Sequence, residues 1–598
     1  MTDRLDPITL EVIQNALSSI ADELALVIMR AAYSNIVRDS MDYSTAVCDR
    51  HGRTIAQGLT TPVHLGSFPD AMRNLLAKFE GNIRDGDVFI FNDPYGSGGM
   101  HLPDFYVVRP AFVDGELEGF AATLAHQQDV GGIEPGGMAV YATEIQQEGL
   151  RIPTLKLFEA GRPNDAILAL IERNTRSPVN VMGDLRSQIA ACATGVRAIE
   201  RLVRRYGSRE FRRYAEALHD HAERMIRAEI AKLPRGTWRF EDHVDGLGDS
   251  PVPIRFAVAL TVSGDGIDID WDGTSAQVEA AINGPMPTTR AMSYLAVRCA
   301  IGGAIPNCEG YMRAITVRAP EGSVVNPRND AACGARGIIC FRMFDALMGA
   351  FAQLLPDRIP AANEGGSNNP HIAGRDRGGN RFLVSGGLMG CWGGSATHDG
   401  QEGISNPAAN LSNTPIELLE SRHPVEITRY AFVQNSGGPG RHRGGAALVR
   451  GYRLLADNAV LVMRSDRRKH LPYGLAGGRP GTPSWNILNP GPNQRTLPAC
   501  PMSAVPMVDG DEFVHIQAGA GGYGDPLERD QEKVRADIEN ELITPQYAEE
   551  VYGVILGAIG VDSAATERRR AEMRAAETRP DAYLDLFYRT VGIPRSSA

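Results

Sequence analysis

NDPYGSGGMHLPDFYVVRPAFVDGELEGFAATLAHQQDVGG occupies residues 92–132 and decides how the first part of the chain folds. Its run 105–108 is rich in residues that favour strands, the apolar run 119–125 is interpreted as a second strand, and Asp114-Gly115 between them is a turn signal. We therefore predict two strands of one sheet, joined at that turn. His126 follows the second strand, at a position where a rigid scaffold can hold a side chain in a site.

Three side chains in this stretch have the spacing of metal ligands: His101, Asp104 and His126. Leu102 precedes a proline and Pro103 has a fixed φ, so both residues favour a polyproline II conformation. Since that helix has about three residues per turn, His101 and Asp104 should project to the same side. Two imidazoles and one carboxylate leave coordination positions open, as a catalytic divalent metal requires. The alternative is that each residue caps or braces a loop through hydrogen bonds.

Three further polar residues are candidates for the same site. Asp42 directly precedes the predicted strand 45–48, and it either completes a metal shell or caps the local turn. His64 lies in a loop of small residues before a helix predicted at 70–80, and it either faces the same cavity or is incidental. Glu148 returns near a predicted strand start, as a candidate general base or as an anchor that orients a ligand.

The composition excludes several classes of function. The chain has 598 residues, of which 43% are hydrophobic, enough for about three to five units with cores of their own. A formal net charge of −11 argues against a nucleic acid or an anionic membrane as the main partner. The 8 cysteines contain no C-x-x-C pair, so neither a zinc ribbon nor a redox dithiol is indicated. We expect reduced thiols in a cytoplasmic protein.

The N-terminal residues predict a helix and no signal peptide. Asp3 and Arg4 come too early for an apolar leader, and no stretch approaches the roughly 20 apolar residues of a membrane span. Asp6-Pro7 is typical of an N-cap followed by proline at the first helical position. An apolar stripe then recurs every three or four residues, as in an amphipathic helix. Its members are Ile13, Leu17, Ile20, Leu24, Ile28 and Ala31.

These patterns predict a mixed α/β (α+β), multidomain fold in four consecutive segments. Residues 1–183 form an N-terminal α/β domain that carries the metal site. Residues 184–235 form a helical hairpin that serves as scaffold or subunit contact. Residues 236–530 form a β-rich region with many glycine loops, and residues 531–598 form a charged, helical C-terminal tail.

Three motif matches in the β-rich region do not have the context that their function needs. The acidic pattern at 268–279 fits a calcium loop, but it leaves a strand instead of joining two helices. The glycines of 519–524 fit a dinucleotide motif, but no β-α-β unit surrounds them. The basic glycine loop 436–445 lacks the Gly-Lys-Ser/Thr ending of a P-loop. The chain therefore has no motif for binding a nucleotide phosphate.

Short motifs along the chain resemble those of the hydantoinase B/oxoprolinase family, the metal-bearing subunit of ATP-dependent cyclic-amide hydrolases and ketone carboxylases. They are DPITLE (6–11), DYS (42–44), NDPY (92–95), HLPD (101–104), HQQDVGG (126–132), QEGLR (147–151), NTPIE (413–417), SGGPG (436–440), RGG (443–445) and GGYGDPLERD (521–530). The resemblance runs in order from about residue 6 to about residue 560. Met100 and the stretch 329–333 depart from the family pattern, and the latter departure could alter the fit of a substrate.

The resemblance implies a divalent metal, Mn or Zn, held by His101, Asp104 and His126 with Asp42 as fourth ligand. It also implies a partner of the hydantoinase A type that binds ATP and Mg, in a hetero-oligomer such as a heterotetramer. That partner would phosphorylate the carbonyl of a small cyclic amide or ketone, and the metal would act on the activated intermediate as a Lewis acid or through a hydroxide.

Asp129 and Glu148 are the predicted catalytic residues, which orient histidine ligands or move protons. The leading reading is a hydrolase of hydantoin, N-methylhydantoin, oxoproline or a lactam. A ketone carboxylase that uses bicarbonate needs the same metal and partner, and these two readings cannot be separated by residues. A non-catalytic scaffold is the third, against which the intact histidines and aspartates count.

Overall fold

The computed structural model describes residues 5–328, 330–576 and 580–595. Within these residues the chain forms two compact units. The first contains 1–239, 257–344 and 407–414, and the second contains 240–256, 345–406 and 415–598. Helices alternate with several sheets and the C-terminal region is helical, which confirms the predicted multidomain α+β fold.

The first unit is built on an antiparallel sheet whose described strands follow the order β2-β1-β5-β4-β3-β6-β7. The strands are β1 (Tyr43–Asp49), β2 (Thr54–Gln57), β3 (Val88–Phe91), β4 (Asp104–Val113), β5 (Glu116–His126), β6 (Leu155–Glu159) and β7 (Arg162–Pro163). The helices are α1 (Pro7–Ala31), α2 (Asn35–Arg38), α3 (Pro62–Leu65), α4 (Phe68–Lys78), α5 (Asp165–Arg173), α6 (Pro178–Tyr206), α7 (Ser208–Ile230) and α8 (Met286–Ile301). The two strands predicted from 92–132 are β4 and β5.

Both faces of this sheet are buried at β1, β3, β4 and β5, because neighbouring residues of these strands belong to two different cores. Val107 of β4 belongs to a core formed with α1 and α6. Its neighbour Tyr106 belongs to a second core, formed with Phe68 and Met72 of α4. Strands buried on both faces carry near-continuous apolar runs, which is the pattern seen in the sequence.

Helix α1 forms as predicted. The side chain of Asp6 accepts hydrogen bonds from the backbone N–H groups of Ile8 and Thr9, and Pro7 occupies the first helical position. The face buried against α6 and the sheet carries the predicted stripe, of which Ile13, Leu17, Ile20, Leu24 and Ile28 are buried.

The second unit contains two sheets, in the orders β13-β12-β16-β19 and β14-β15-β20-β17-β18 among the described residues. Their strands are β12 (Asn369–Arg375), β13 (Arg381–Val384), β14 (Val425–Phe432), β15 (Leu448–Leu454), β16 (Asn458–Arg464), β17 (Trp485–Leu488), β18 (Arg495–Leu497), β19 (Val505–Val508) and β20 (Glu512–Ile516). Helix α10 (Ile416–Arg422) lies between β13 and β14, and the helices that follow β20 are α11 (Gln531–Glu539), α12 (Pro545–Tyr552), α13 (Ser563–Ala575) and α14 (Tyr583–Val591).

Strands β8 (Gly236–Val244), β9 (Ile254–Ser263), β10 (Gly266–Asp270) and β11 (Ile315–Arg318) form a further sheet in the order β11-β10-β9-β8. Asp268 and Asp270 of the acidic pattern lie on β10, so this pattern follows a strand and not a helix, as expected. A long apolar helix, α9 (Gly337–Leu354), follows β11.

The compact units differ from the four consecutive segments predicted, because each unit gathers stretches that lie far apart in sequence. The predicted hairpin, now α6 and α7, packs on the sheet of the first unit and is not separate from it. Some predictions fall outside the described residues: those on Asp3 and Arg4, on Asn329, and on positions 577–579 and 596–598 of the tail.

Among the residues that the structure describes, two helices are long and apolar enough to span a membrane, although the sequence pattern indicated none. They are α1 and α9, in which 39% and 89% of the most apolar window is buried inside the protein. Core helices of soluble proteins pass the same test of length and composition, so two such helices are weak evidence for a membrane span.

A buried arginine in the second unit provides a test of its packing. Arg467 is fully buried and donates to both carboxylate oxygens of Asp242, at 3.0 and 2.9 Å, and to Oδ2 of Asp345 at 2.8 Å. We expect Arg467→Met to lower the free energy of unfolding by about 3–5 kcal/mol, because two buried carboxylates lose their shared cation. Urea denaturation of the full chain, followed by circular dichroism, measures this change.

The exposed pair Arg377–Asp509 of the same unit is the control. Its side chains are 66% and 49% exposed, with a contact of 2.9 Å. Arg377→Met should change the free energy of unfolding by less than about 1 kcal/mol. Equal effects of the two substitutions would contradict the importance of the buried cluster.

Candidate metal centre

Three neighbouring strands bring the predicted ligands together at the same end of the sheet, where β1 and β4 begin and β5 ends. Asp42 directly precedes β1, Asp104 begins β4, and His126 ends β5. In the sheet β5 pairs with both other strands, with Asp104 opposite His126 and Tyr43 opposite Ala125. The N–H of His126 donates to the carbonyl of Asp42 at 3.0 Å. Antiparallel pairing therefore places side chains from three distant stretches beside one another.

The segment 101–104 is a turn, and the predicted polyproline II conformation is wrong. The N–H of Asp104 donates to the carbonyl of His101 at 3.1 Å, whereas a polyproline II helix has no internal hydrogen bonds. The two side chains still meet, with Nε2 of His101 3.1 Å from Oδ1 of Asp104. The His101 and His126 rings lie next to each other, with centroids 5.2 Å apart.

His64, whose role the sequence left open, lies in the same cluster. It sits on the short helix α3, and 2% of it is exposed. Its Nε2 is 3.6 Å from Oδ1 of Asp42 and 4.0 Å from Oδ1 of Asp104. The structure therefore places this histidine beside two of the predicted ligands, in agreement with the reading in which it belongs to the same site.

The hydrogen bonds made by Nδ1 of His101 and of His64 determine which ring nitrogen carries the proton. Nδ1 of His101 is 2.9 Å from the carbonyl oxygen of Gly334, which can only accept. Nδ1 of His64 is 3.1 Å from Oγ of Ser44, whose hydroxyl donates to the carbonyl of Thr61. In neutral rings, Nε2 of both histidines therefore carries a lone pair. Burial favours the neutral form, because it lowers the pKa of His64 to about 4 and also lowers the pKa of His101.

The carboxylate of Asp104 faces these lone pairs from the core of the site. It is fully buried, and Arg336 donates to its Oδ2 at 2.6 Å. Burial opposes its ionisation, but the Arg336 guanidinium, joined by His101 whenever that ring is protonated, holds the pKa of this carboxyl well below its usual range. Within the described ranges no hydrogen bond reaches Oδ1. A buried anionic oxygen that faces two imidazole lone pairs has the surroundings that a cation would stabilise.

This donor set fits a divalent metal. Nitrogen and carboxylate ligands suit Zn, and the mixture with carboxylates also suits Mn. Among the described residues, no group of three or more His, Cys, Asp or Glu side chains is already spaced to hold an ion. The donors are neighbours, and side-chain rotations are needed to close them around a metal.

The two predicted catalytic residues lie in buried hydrogen-bond networks. Asp129 accepts from the backbone N–H groups of Gly131, Gly136 and Arg176, and from the Arg176 guanidinium. Oε1 of Glu148 accepts from the N–H groups of Cys333 and Gly334, at 2.7 and 2.6 Å. Burial raises the pKa of Glu148 to about 8. The roles of both residues as orienting or proton-moving groups stay predictions.

Sequence reasoning missed the residues that approach from the other part of this unit. Arg336 and Gly334 follow Asp104 by more than 200 residues and belong to no ligand motif. The one available signal is a cation, Arg336, directly before the apolar helix α9, since an arginine that is buried needs a carboxylate partner.

Comparisons with known proteins agree with one another. The family model described as hydantoinase B/oxoprolinase matches residues 6–526. A protein of Pseudomonas sp. (strain NS671), named as the B component of a D-/L-hydantoinase, is 32% identical over 571 residues, which cover 92% of this chain and 96% of that protein. The caprolactamase beta chain of Pseudomonas jessenii is 31% identical over 596 residues, which cover 95% and 99%.

Two solved structures share the fold. The crystal structure of the ATP-dependent caprolactamase from Pseudomonas jessenii superposes with a TM-score of 0.88 at 29% identity, covering 95% of this chain and 100% of that chain. A nucleotide-free structure of acetone carboxylase superposes with a TM-score of 0.89 at 20% identity, covering 96% and 84%. At the latter identity the similarity shows the fold alone.

Proposed function

This chain belongs to the hydantoinase B/oxoprolinase family, and from that premise we propose that it is the metal-dependent subunit of an ATP-dependent cyclic amide hydrolase. Relatives named for hydantoinase, caprolactamase and 5-oxoprolinase activities support an enzymatic role. The proposed substrates are small cyclic amides, namely hydantoin, N-methylhydantoin, oxoproline or a lactam. The proposed reaction is opening of the ring, in the cytoplasm.

One observation carries this proposal: Oδ1 of the buried Asp104 lies within 3.1 Å of Nε2 of His101 and 4.0 Å of Nε2 of His64. We propose that His101, Asp104, His126 and Asp42 hold Mn or Zn, with His64 as a further donor. A bound divalent metal supplies Lewis acidity, for the carbonyl of an activated substrate or for water.

The residues of this chain have separate proposed tasks around that metal. His64, His101 and Asp104 are 2%, 4% and 0% exposed, so their donor atoms are shielded from bulk water. Exclusion of water strengthens the electrostatic interactions within the site. Asp129 accepts hydrogen bonds from the loop that follows His126. Glu148 accepts hydrogen bonds from the backbone N–H groups of Cys333 and Gly334, next to His101. Either carboxylate is proposed to orient a histidine or to move a proton.

A second polypeptide is proposed to supply the energy. The sequence has no nucleotide-phosphate motif, and two relatives are themselves named as one component of a larger enzyme. We propose a hydantoinase A-type partner that binds ATP and Mg, in a hetero-oligomer such as a heterotetramer. The partner would phosphorylate the carbonyl oxygen of the amide, which makes the ring carbon a better electrophile.

The assay of the purified two-subunit complex tests this function. We expect ring opening of a cyclic amide that needs ATP, needs both subunits and is lost when a chelator removes the metal. The same assay without bicarbonate should give an unchanged rate. Dependence on bicarbonate with a ketone substrate would favour a carboxylase instead, and full activity of the ATP-binding subunit alone would make this chain a scaffold.

A further inference from the structure

The turn at residues 333–336, here called the 333–336 turn, contacts the candidate metal centre although it lies more than 200 residues later in the chain. The N–H of Arg336 donates to the carbonyl of Cys333 at 3.1 Å, which closes the turn. The N–H of Ala335 donates to the carbonyl of Ala281 at 2.8 Å. The amide of Asn283 donates to the carbonyl of Ala332 at 2.9 Å. The backbone of the turn is thus held from both ends.

Glu148 fixes the first half of this turn. Its Oε1 accepts both successive N–H groups, from Cys333 and from Gly334. Only glycine fits at 334, because a Cβ there would lie 2.8 Å from the carbonyl oxygen of Gly137 and 3.1 Å from Oε1 of Glu148. These close approaches leave the Gly334 carbonyl little freedom to move.

Two groups of the turn face the proposed ligands. The Gly334 carbonyl accepts from Nδ1 of His101 at 2.9 Å, and the Arg336 guanidinium donates to Oδ2 of Asp104 at 2.6 Å. Each contact occupies the atom that points away from the centre. Nε2 of His101 and Oδ1 of Asp104 are left facing each other.

We infer that the 333–336 turn is the positioning element of the metal centre, with Arg336 as its positioning residue. Arg336 engages one oxygen of Asp104, so the carboxylate offers the metal its other oxygen alone. The Gly334 carbonyl fixes the tautomer in which Nε2 of His101 is free to coordinate. This inference rests on the proposed function, because it takes Asp104 and His101 to be ligands.

The physical reason is that hydrogen bonds to the outer atoms of ligands reduce the conformations available to them before a metal binds. Removing such a contact typically costs about 10–100-fold in metal affinity. A lysine at 336 would supply the charge without the planar fork that engages a carboxylate oxygen in a fixed direction. Charge alone is therefore not sufficient for positioning.

The test is the affinity of the full-length apo protein for Zn²⁺ and for Mn²⁺, measured by competition with a chromophoric chelator. We expect Arg336→Gln to weaken binding about 10–100-fold and Arg336→Lys to restore only part of the loss. X-ray absorption of the Zn-loaded variant should show an altered carboxylate contribution. Gly334→Ala, which displaces the carbonyl without removing a charge, should also weaken binding.

Arg212→Gln is the matched control. Arg212 donates to both oxygens of Glu118, at 2.9 and 2.8 Å, and Glu118 is 1% exposed on β5, the strand that ends in His126. Its loss also leaves a buried carboxylate without its arginine, so unfolding should become easier while metal affinity stays unchanged.

The outcomes separate the inference from the function. Wild-type affinity in both Arg336→Gln and Gly334→Ala would overturn the inference and leave the proposed function intact. Equal losses of affinity in Arg336→Gln and Arg212→Gln would also overturn it, because the effect would then be one of general stability. If the wild-type chain binds neither ion, the proposed function fails and the inference fails with it.

Discussion

His101→Ala should leave a folded subunit that holds no metal and does not turn over. His101 is the residue whose Nε2 is nearest to the buried Oδ1 of Asp104, and its removal takes away a ligand and the link to Gly334 together. A catalytic metal contributes several kcal/mol of transition-state stabilisation, so we expect turnover of the complex to fall on the order of 10³-fold or more. Metal content by mass spectrometry and ATP-dependent ring opening measure the two effects.

The fold and the subunit complex should survive this substitution. His101 lies beyond the strand ends and belongs to neither of the two hydrophobic cores that pack on the sheet. Circular dichroism and size-exclusion chromatography with the partner check both points. His51→Ala, an exposed histidine in the turn after β1, is the control and should keep its metal and its activity. Full metal occupancy of the His101→Ala protein would remove the proposal.

Glu148→Ala should weaken metal binding about 10–100-fold through the 333–336 turn. The substitution leaves the buried N–H groups of Cys333 and Gly334 without an acceptor, which costs about 1–3 kcal/mol for each group. The backbone should relax, and the Gly334 carbonyl should no longer hold His101. Chelator competition on the apo chain measures the loss of affinity.

Glu148→Gln separates the two predicted roles of this residue. The amide oxygen of glutamine still accepts both N–H groups, so metal affinity should return close to that of the wild type. If Glu148 also moves a proton, the metal-saturated Gln variant should lose about 10²–10⁴-fold in turnover. A Gln variant with metal affinity as poor as that of the Ala variant would contradict the anchoring role.

The sequence was sufficient to predict the strands of the site and the first helix, although not the turn at 101–104. The apolar runs on either side of Asp114-Gly115 form β4 and β5, and both turn residues have positive φ, as a type I′ turn of a two-residue hairpin requires. The Asp6 cap and its apolar stripe form α1. These features depend on neighbouring residues, which a sequence pattern records.

Long-range placement could not be predicted from the same patterns. Whether His64 faces Asp42 depends on how α3 sits against Ser44 of β1, and no periodicity encodes that contact. Arg336 reaches Asp104 only because the first unit gathers separate stretches of chain. The segment 101–104 shows the opposite case. Its predicted conformation was wrong, but the prediction that His101 and Asp104 lie side by side was correct.

The separation of 232 residues between Asp104 and Arg336 has a consequence for biosynthesis. At ribosomal rates of about 5–20 residues per second, the histidines and aspartates leave the ribosome on the order of ten to fifty seconds before Arg336 does. During that interval the nascent chain has the proposed metal ligands without the 333–336 turn that is proposed to position them. On the proposed function, we therefore expect loading with the ion to be a late event in maturation, which follows closure of the first unit.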